Sequence, residues 1–514
     1  MSLTERFNLS VGLRLEVPTY PSIASYNTNN QFLNGWDETI TNPDTGATEI
    51  VHHALADGNN TISGLSTADM PNARLNFSPR IGFNWDLVGD RSLILRGGSG
   101  FYTGRLPFVW IVSTVGNSNC MQNQYITTNE DVTFATSPDA IIAANSDKLT
   151  VGDLPAPQST TIMDKDLKMP QTWKSSLALD AKLPGGIKAT LEGIYNKDIT
   201  SVAVTKLGIV KGDAIQLPGE PEEREFWVSE NLKNSQGKDV TPYYITNSDN
   251  KGYYYSGTAQ LSKDFDCGLN LMAAYTYSNG KNVIDGIGDQ VTSAFNTNTF
   301  GVNGSNSQEL GYSSYVSPNR ILFNVGWTWP SGKRSTETIG LYYEGFNHCY
   351  IGNFSYTRYS YTMTTNVNGD GGANSLIYIP TETELSEMPF VSEENAEDFN
   401  QFIIQDKYLN NHRGEYAERG GAIAPWRHTF NFKYERTIKF NGGEKLSFGI
   451  DVNNIANLIY RGWGNMQRLN SSDILKYSKN SEGNYQYEFT SPTWSEYAST
   501  YSTWSAALNV RLSF

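Results

Sequence analysis

The chain has 514 residues and a formal net charge of −14, which argues against a nucleic-acid-binding protein because such proteins present basic surfaces. Its mean hydropathy of −0.45 is too polar for a protein that spans a membrane with helices. No segment reaches the roughly 20 apolar residues that a spanning helix needs. Three cysteines are also too few for a disulfide framework.

The first predicted strand begins at Phe7. Every second residue from Phe7 to Val17 is apolar, and the residues between them are polar or small. In a strand, this period of two places the two sets of side chains on opposite faces. Long alternating segments of this kind are the sequence signature of a transmembrane β-barrel, in which one face of each strand meets lipid.

Further segments along the chain show the same alternation, and about twelve strands are predicted in total. Most have about the 9–11 residues that a tilted strand needs to cross a bilayer. The later predicted strands are Leu75–Leu87, Arg91–Tyr102, Gln171–Leu183, Ile187–Ile199, Tyr253–Phe265, Gly268–Ser278, Asn319–Trp329, Thr336–Asn347, His428–Phe440, Glu444–Val452 and Thr503–Phe514.

Compact turns alternate with very long connections between these strands. The turns contain the residues that hairpins prefer; they are Val88-Gly89-Asp90, Pro184-Gly185-Gly186, Asp266-Cys267, Ser331-Gly332-Lys333 and Asn441-Gly442-Gly443. Outer-membrane barrels have short periplasmic turns and long extracellular loops. The pattern therefore predicts a bacterial outer-membrane protein with both termini periplasmic and the long loops extracellular.

Aromatic residues are predicted at two levels of the apolar face, as in the interfacial girdles of such barrels. One level lies near the short turns and the other near the long loops; the residues are Phe83, Trp85, Trp327 and Trp329 at the first, and Trp173, Tyr253, Tyr255, Tyr275 and Tyr277 at the second. The last strand alternates to the final residue, Phe514. Such an aromatic C-terminus is similar to the signal that barrel-assembly machinery recognises.

Several segments together resemble the barrel region of TonB-dependent outer-membrane receptors of the SusC-like and Oar-like large-barrel class. They occur in the order that this family shows, and they are Gly12–Pro18, Ser78–Trp85, Leu95–Arg105, Ala274–Ser278, Tyr408-Leu409 with Arg413–Arg419, Ala424–Trp426 and Asn453–Leu458.

The resemblance implies that residues 1–514 are a single all-β region, the C-terminal part of an antiparallel barrel of 22 strands. Receptors of this family also have a plug, an energy-coupling segment and an export signal, and none of these is recognisable here. We therefore expect a receptor portion that begins inside the barrel. The implied partners are outer-membrane lipid, the TonB complex through the N-terminal part, a surface lipoprotein and a small-molecule or oligomeric ligand. A self-contained twelve-stranded porin is the structural alternative.

A search for catalytic and metal-binding patterns nominates no site residue and no cofactor. Gly97–Gly100 lies within a strand and does not open a helix, so a phosphate loop is not expected. The oxygen-rich loop Asn366–Gly371 resembles the start of a calcium loop, but a turn rich in Asn and Gly is the preferred interpretation. His52 and His53 are adjacent, which does not favour a shared metal. Pairing of Cys120 with Cys349 is left open.

The sequence thus predicts uptake of a scarce solute (a glycan, a peptide or an iron chelate) by an outer-membrane receptor. Ligand contacts are expected from Tyr, Trp and Asn of the long loops and the upper lumen. A surface adhesin and a passive porin remain alternatives, and an enzyme is not expected. The identity of the solute is open.

Overall fold

The computed structural model describes residues 4–20, 36–41, 45–53, 56–57, 60–62, 64–65, 67, 69–116, 125–126, 131–151, 159–229, 232, 241–285, 290–298, 300–371, 375–497, 499–500 and 502–514. No helix in this described part of the chain has the length and apolar character needed to cross a membrane.

The molecule is organised around one large sheet in which twelve strands follow one another in chain order, each antiparallel to the next. The strands are β1 (Phe7–Glu16), β2 (Asn76–Asp86), β3 (Leu93–Thr103), β4 (Gln171–Leu183), β5 (Ile187–Lys206), β6 (Tyr253–Asp264), β7 (Leu269–Asn282), β8 (Asn319–Pro330), β9 (Ser335–Asn347), β10 (Trp426–Lys439), β11 (Lys445–Asn453) and β12 (Ser505–Ser513). The predicted all-β, antiparallel architecture and its strand number are confirmed.

The pairing register shows that the alternating patterns of the twelve strands match, so that the apolar positions of each strand lie beside the apolar positions of its neighbours. Leu9 pairs with Phe83 across β1 and β2, and Leu191 pairs with Ala259 across β5 and β6. Apolar residues therefore lie next to apolar residues along one face of the sheet, here called the apolar face. The opposite face, here called the polar face, carries the charged and hydroxyl side chains. A slip of one residue would exchange the two faces, so burial of one face in lipid fixes the register.

Short and long connections alternate along the sheet, as predicted. The turns between β2 and β3, β4 and β5, β6 and β7, β8 and β9, and β10 and β11 are compact and lie at one end. In the second of these turns, Gly185 and Gly186 have φ of +77° and +75°, a backbone conformation that residues other than glycine rarely adopt. All long connections emerge at the opposite end, which we call the loop end.

The long connections contain helices and strands of their own, which the sequence analysis did not predict. The helices are α1 (Phe108–Gly116), α2 (Pro138–Ala144), α3 (Val291–Asn298), α4 (Glu382–Leu385), α5 (Glu393–Gln405), α6 (Lys407–Asn411) and α7 (Ile455–Ile459). The strands are Trp36–Thr41, Thr48–His53, Ala56–Asp57, Asn60–Thr61, Tyr125–Ile126, Thr150–Val151, Ser159–Met163, Ile209–Lys211, Trp227–Ser229, Thr241–Ser248, Gly311–Tyr312, Cys349–Ile351, Phe354–Tyr356, Arg358–Tyr359, Thr362–Met363, Tyr378–Ile379, Glu415–Tyr416, Ala422–Ile423, Met466–Leu469, Asp473–Lys479, Tyr485–Phe489 and Trp494–Tyr497.

Helix α5 illustrates why these loops are ordered. The Ser392 hydroxyl accepts a hydrogen bond from the backbone N–H of Asn395 at 3.1 Å, which caps the helix, and acidic residues occupy its first turn. Phe399 and Ile403, four residues apart on one side of the helix, have no solvent exposure. The helix is thus fixed both by its cap and by a buried apolar side.

The loops pack into a layer whose buried residues form two main clusters. Loop core 1 joins the β9–β10 and β11–β12 connections and includes Tyr361, Met363, Phe399, Ile403, Leu409, Leu475 and Tyr487. Loop core 2 includes Leu106, Trp110, Met163, Val204, Tyr243, Ile245 and Phe295. Most of the buried apolar residues in the described part of the chain thus lie in this loop layer, because the apolar side chains of the sheet lie on its exposed apolar face.

Strand β5 connects the sheet to the loop layer. Its first half pairs with β6, and its residues 201–206 pair with the loop strand Thr241–Ser248. Ala203 and Val204 are fully buried in loop core 2. The predicted end at Ile199 is therefore too early. The strand continues because its last residues are protected on both faces by the loops, where a buried, largely apolar run replaces the alternation.

Candidate ligand-binding site on the polar face and in the loop layer

The polar face carries a network of opposite charges in its middle. The Arg96 guanidinium donates from Nε to Asp180 Oδ2 at 2.8 Å and from one terminal nitrogen to Glu192 Oε1 at 3.3 Å. The Thr190 hydroxyl donates to the second oxygen of Asp180 at 2.7 Å. These residues lie on three neighbouring strands, so the network crosses β3, β4 and β5. Such charges are stable only on a face that is shielded from lipid.

A glycine in β3 makes room on the polar face for a side chain of the neighbouring strand. Gly100 lies in β3, and a Cβ atom there would approach the backbone oxygen of Pro79 to 2.8 Å and the Arg80 side chain to 2.9 Å. The absent side chain therefore leaves room for the Arg80 side chain, which extends to Tyr102. As predicted, the segment Gly97–Gly100 lies inside a strand.

A pocket of about 300 Å³ opens at the loop end of the polar face, and we call it the polar-face pocket. Its polar lining comes from β4 to β7, and the residues used below are Thr172, Lys174, Asn196, Asp198, Tyr254 and Asn282. All six occupy polar-face positions in the strand register.

The polar-face pocket combines both charges with hydrogen-bonding groups. The Thr172 hydroxyl donates to Asp198 Oδ1 at 3.2 Å. Asn196 Oδ1 is buried and has no hydrogen-bond partner among the described residues. The Lys174 ammonium lies 5.4 Å from the centre of the Tyr102 ring. A buried acceptor without a partner is costly, so a ligand donor that reaches Asn196 would remove that cost.

The same aromatic ring extends the site beyond the pocket. The Arg80 guanidinium carbon lies 4.3 Å from the centre of the Tyr102 ring, so Arg80 and Lys174 contact one ring. Arg80 Nε has no hydrogen-bond partner among the described residues either. The polar face therefore presents cationic donors, an aromatic ring and a carboxylate within a short distance of its loop end. This combination suits a polar ligand bearing hydroxyl, amide or carboxylate groups.

The predicted aromatic levels lie on the apolar face where expected. Near the turns, the rings of Trp327 and Trp329 lie 4.5 Å apart. At the loop end, Trp173 contacts Tyr195 at 5.9 Å, and Tyr255 contacts Tyr277 at 6.3 Å between ring centres. The two levels lie at opposite ends of the strands on one face.

The loop that resembles a calcium site is a turn that joins neighbouring loops. Asn366 Oδ1 accepts hydrogen bonds from the backbone N–H groups of Asn368 and Gly369, both at 3.1 Å, and Gly369 has φ of +74°. Asp370 Oδ2 accepts from the backbone N–H of Ser305 at 2.7 Å. No cluster of three or more His, Cys, Asp or Glu side chains suited to a metal occurs among the described residues.

The histidines and cysteines considered in the sequence are separated in the fold. The His52 and His53 side chains lie outside the described part. His348 is half-buried in the loop layer. Cys349 is buried with a free thiol, so the described residues contain no disulfide partner for it; Cys120 lies outside them.

Sequence reasoning expected Tyr, Trp and Asn of the loops and upper lumen to contact ligand but named no binding residue. It therefore missed Lys174, Asn196 and Asp198. A usable signal was present, because these residues fall at polar-face positions near the loop ends of predicted strands.

The in-phase apolar face, the charged opposite face and the one-sided long loops define a membrane β-barrel sheet. The family model of the outer membrane beta barrel domain matches residues 2–473, and the chain belongs to this family. It is accordingly an outer-membrane protein. No curated protein matches the sequence significantly.

Comparison with solved structures finds weak similarity to several outer-membrane proteins. The transporter YddB from Escherichia coli is 12% identical with a TM-score of 0.38, over 85% of this chain and 41% of that one. The ferric-catecholate import receptor Fiu from E. coli K12 is 9% identical with a TM-score of 0.27, over 96% and 60%. The RagAB peptide transporter is 8% identical with a TM-score of 0.29, over 100% and 55%. The chain thus spans between about two fifths and three fifths of the length of these proteins.

Proposed function

We propose that this chain is the barrel part of an outer-membrane receptor that takes up a scarce solute with energy from the TonB complex. The observation that carries the proposal is the polar-face pocket, which lies where a continuous polar face meets a packed loop layer. A solute arriving from the loop end would reach this pocket before the charged middle of the polar face.

The chemistry of the pocket favours a polar solute with several hydrogen-bonding groups. Lys174 and Asp198 supply opposite charges, Asn196 supplies an acceptor, and Tyr254 supplies a hydroxyl and an aromatic ring. Glycans, peptides and the ligand shells of iron chelates all carry matching groups. The proposal assigns the protein no catalytic step and no cofactor.

The state of the sheet edges supports a larger barrel. Among the described residues, β1 pairs only with β2, β12 pairs only with β11, and the two edge strands do not pair with each other. An open edge in a bilayer leaves backbone groups unsatisfied, so spanning sheets close. We therefore propose that further strands complete a barrel of 22, with a plug through which the TonB complex acts and with a surface lipoprotein as a partner on the loop side.

A direct test measures binding of the full-length protein, purified in detergent, to a panel of glycans, peptides and iron chelates. We expect one solute class to bind, and we expect Lys174→Gln and Asp198→Asn to weaken that binding tenfold or more. Lys188→Gln is the matched control, because Lys188 pairs with Asp264 at the turn end of the same polar face. Equal loss in the control, or no binding by any class, would contradict the assigned site.

A second test separates energised uptake from the two alternatives. Cells that produce the protein should accumulate the bound solute, and a protonophore or loss of the TonB complex should abolish accumulation. Uptake that persists without energy would instead indicate a porin. Attachment of cells to a surface ligand without uptake would indicate an adhesin.

A further inference from the structure

A second pocket, of about 540 Å³, lies at the loop end of the sheet on its apolar face, and we call it the apolar-face pocket. Its lower wall includes Tyr277, near the loop end of β7, together with Asn319 and Trp426, the first residues of β8 and β10. The strand register places all three on the apolar face. The pocket therefore opens toward the side of the sheet that meets lipid.

The upper wall of this pocket belongs to the loop layer and contains the buried Arg358. This residue is only 5% exposed. One terminal nitrogen of its guanidinium donates to the Gly420 carbonyl at 3.2 Å, and the guanidinium carbon lies 4.4 Å from the centre of the Tyr312 ring. Its Nε atom is buried without a hydrogen-bond partner among the described residues.

The carboxylates that line the apolar-face pocket are already engaged by other groups. Glu418 Oε1 accepts from the Lys281 ammonium at 2.7 Å. Asp406 accepts from the Tyr361 hydroxyl at 2.8 Å through one oxygen and from the backbone N–H of Leu409 at 2.8 Å through the other. Arg358 accordingly forms no ion pair within the described structure.

Two cations line the pocket, Arg358 and the exposed Lys407, and neither forms an ion pair among the described residues. The Lys281 ammonium lies 4.4 Å from the centre of the Tyr312 ring, as the Arg358 guanidinium carbon does, but it is paired with Glu418 and does not line the pocket. Both carboxylates of the lining already accept hydrogen bonds from other groups, so neither pairs with Arg358. A buried guanidinium without a counter-ion is unfavourable, and an anion that accepts from it relieves the cost.

We propose that the apolar-face pocket binds the phosphate of a lipid headgroup. The phosphate would accept hydrogen bonds from Arg358 and Lys407, while the acyl chains would lie along the apolar face below Trp426. The ring of Trp426 stacks on that of His428 at 5.8 Å, so an aromatic surface continues down this face. Basic pockets beside membrane-facing aromatic residues are suited to anionic headgroups.

Native mass spectrometry of the full-length protein in dodecyl maltoside tests this inference. Phosphatidylglycerol is titrated as the probe, with phosphatidylcholine as a lipid without net charge and inorganic phosphate as a soluble competitor. We expect one tightly held phosphatidylglycerol. We further expect Arg358→Gln to weaken its binding at least tenfold, equivalent to about 1.4 kcal/mol. Arg358→Lys should retain part of the affinity because it keeps the charge.

Two further variants make the result interpretable. Lys407→Gln changes an exposed residue and should weaken phosphatidylglycerol binding without affecting folding, so the inference stays testable if Arg358→Gln does not fold. Arg468→Gln is the matched control, since Arg468 also lies beside a tyrosine ring, that of Tyr497 at 5.5 Å, but does not line the pocket. Equal affinity for phosphatidylcholine, an equal loss in Arg468→Gln, or binding of inorganic phosphate alone would overturn the proposal. None of these outcomes depends on whether the polar-face pocket binds a solute.

Discussion

Arg224 and Glu220 form a bidentate ion pair that is buried from solvent. The guanidinium donates from Nε to Oε2 at 2.7 Å and from a terminal nitrogen to Oε1 at 2.9 Å, and neither side chain has any exposure. The Tyr416 hydroxyl donates to the same carboxylate at 3.1 Å. The pair therefore joins the β5–β6 connection to the β9–β10 connection and fixes part of the loop layer.

Removal of one partner of this pair should be strongly destabilising. Arg224→Met leaves the Glu220 carboxylate buried without its counter-ion, and we expect a loss of about 3–5 kcal/mol in the free energy of unfolding. The double variant Arg224→Met with Glu220→Gln should lose clearly less. Urea titration followed by tryptophan fluorescence measures both. Lys476→Gln, at an exposed pair with Glu488, is the control and should change stability by at most about 1 kcal/mol. A double variant no better than the single one would contradict the argument.

Acidification should weaken the loop layer through His348. Burial, together with the nearby Arg427 charge, lowers the pKa of His348 from 6.5 to about 4. The unfolded chain therefore binds a proton more readily than the folded chain between these values. The stability that neutral His348 provides is present above pH 6.5 and is lost as the pH falls toward 4.

The variant His348→Phe isolates this effect. Its ring can occupy the same space, because His348 packs between Phe346 and Tyr350 with ring centres 5.5 Å from each. We expect the urea midpoint of the variant to fall less than that of the original protein between pH 6.5 and 4. Parallel curves for the two proteins would show that His348 does not carry the pH dependence.

The cysteines allow a test of orientation in the membrane. Cys267 is exposed in the turn between β6 and β7, whereas burial raises the pKa of the Cys349 thiol to about 12 and makes it unreactive. In a Cys120→Ser background, a membrane-impermeant maleimide should label Cys267 only after the outer membrane is permeabilised. Ser481→Cys, at the exposed tip of a loop hairpin, should be labelled in intact cells. Labelling of Cys267 in intact cells would reverse the proposed orientation.

The assignment of the two faces predicts opposite responses to the same substitution at neighbouring positions. Ala259 and Gln260 are consecutive in the middle of β6 and lie on the apolar and polar faces. A lysine on the lipid side near the bilayer centre costs about 2–4 kcal/mol. We expect that loss for Ala259→Lys and a much smaller one for Gln260→Lys in folding titrations with lipid vesicles. Equal losses would show that the faces are assigned wrongly.

Sequence reasoning succeeded for the sheet because its signals are local. The alternation from Gln171 to Leu183 predicts β4 at its observed bounds, and the adjacent Pro-Gly-Gly specifies the turn that follows. Membrane strands must alternate, since each has one face in lipid and one away from it. The two faces and the aromatic levels therefore follow from residue spacing alone.

The loop layer could not be predicted in this way because contacts between distant segments define it. Arg419 donates to the Val283 carbonyl at 3.0 Å, and Asn368 donates to the Glu225 carbonyl at 2.9 Å. Neither contact produces a periodic pattern of residues that could be recognised in the sequence. The pockets depend on these contacts as well, so the polar-face pocket could be located only approximately and the unpaired Arg358 not at all.

Strand β5 attaches part of the loop layer rigidly to the sheet. Its hydrogen-bonded backbone runs without a break from the turn at Ile187 to Lys206, beyond the length that a membrane crossing requires. To lift away from the sheet, loop core 2 would have to break the pairing of residues 201–206 and expose Val204 to water. This side of the loop layer therefore behaves as a rigid wall rather than a hinged lid, and under the proposed function the size of the solutes that enter would be set when the protein folds.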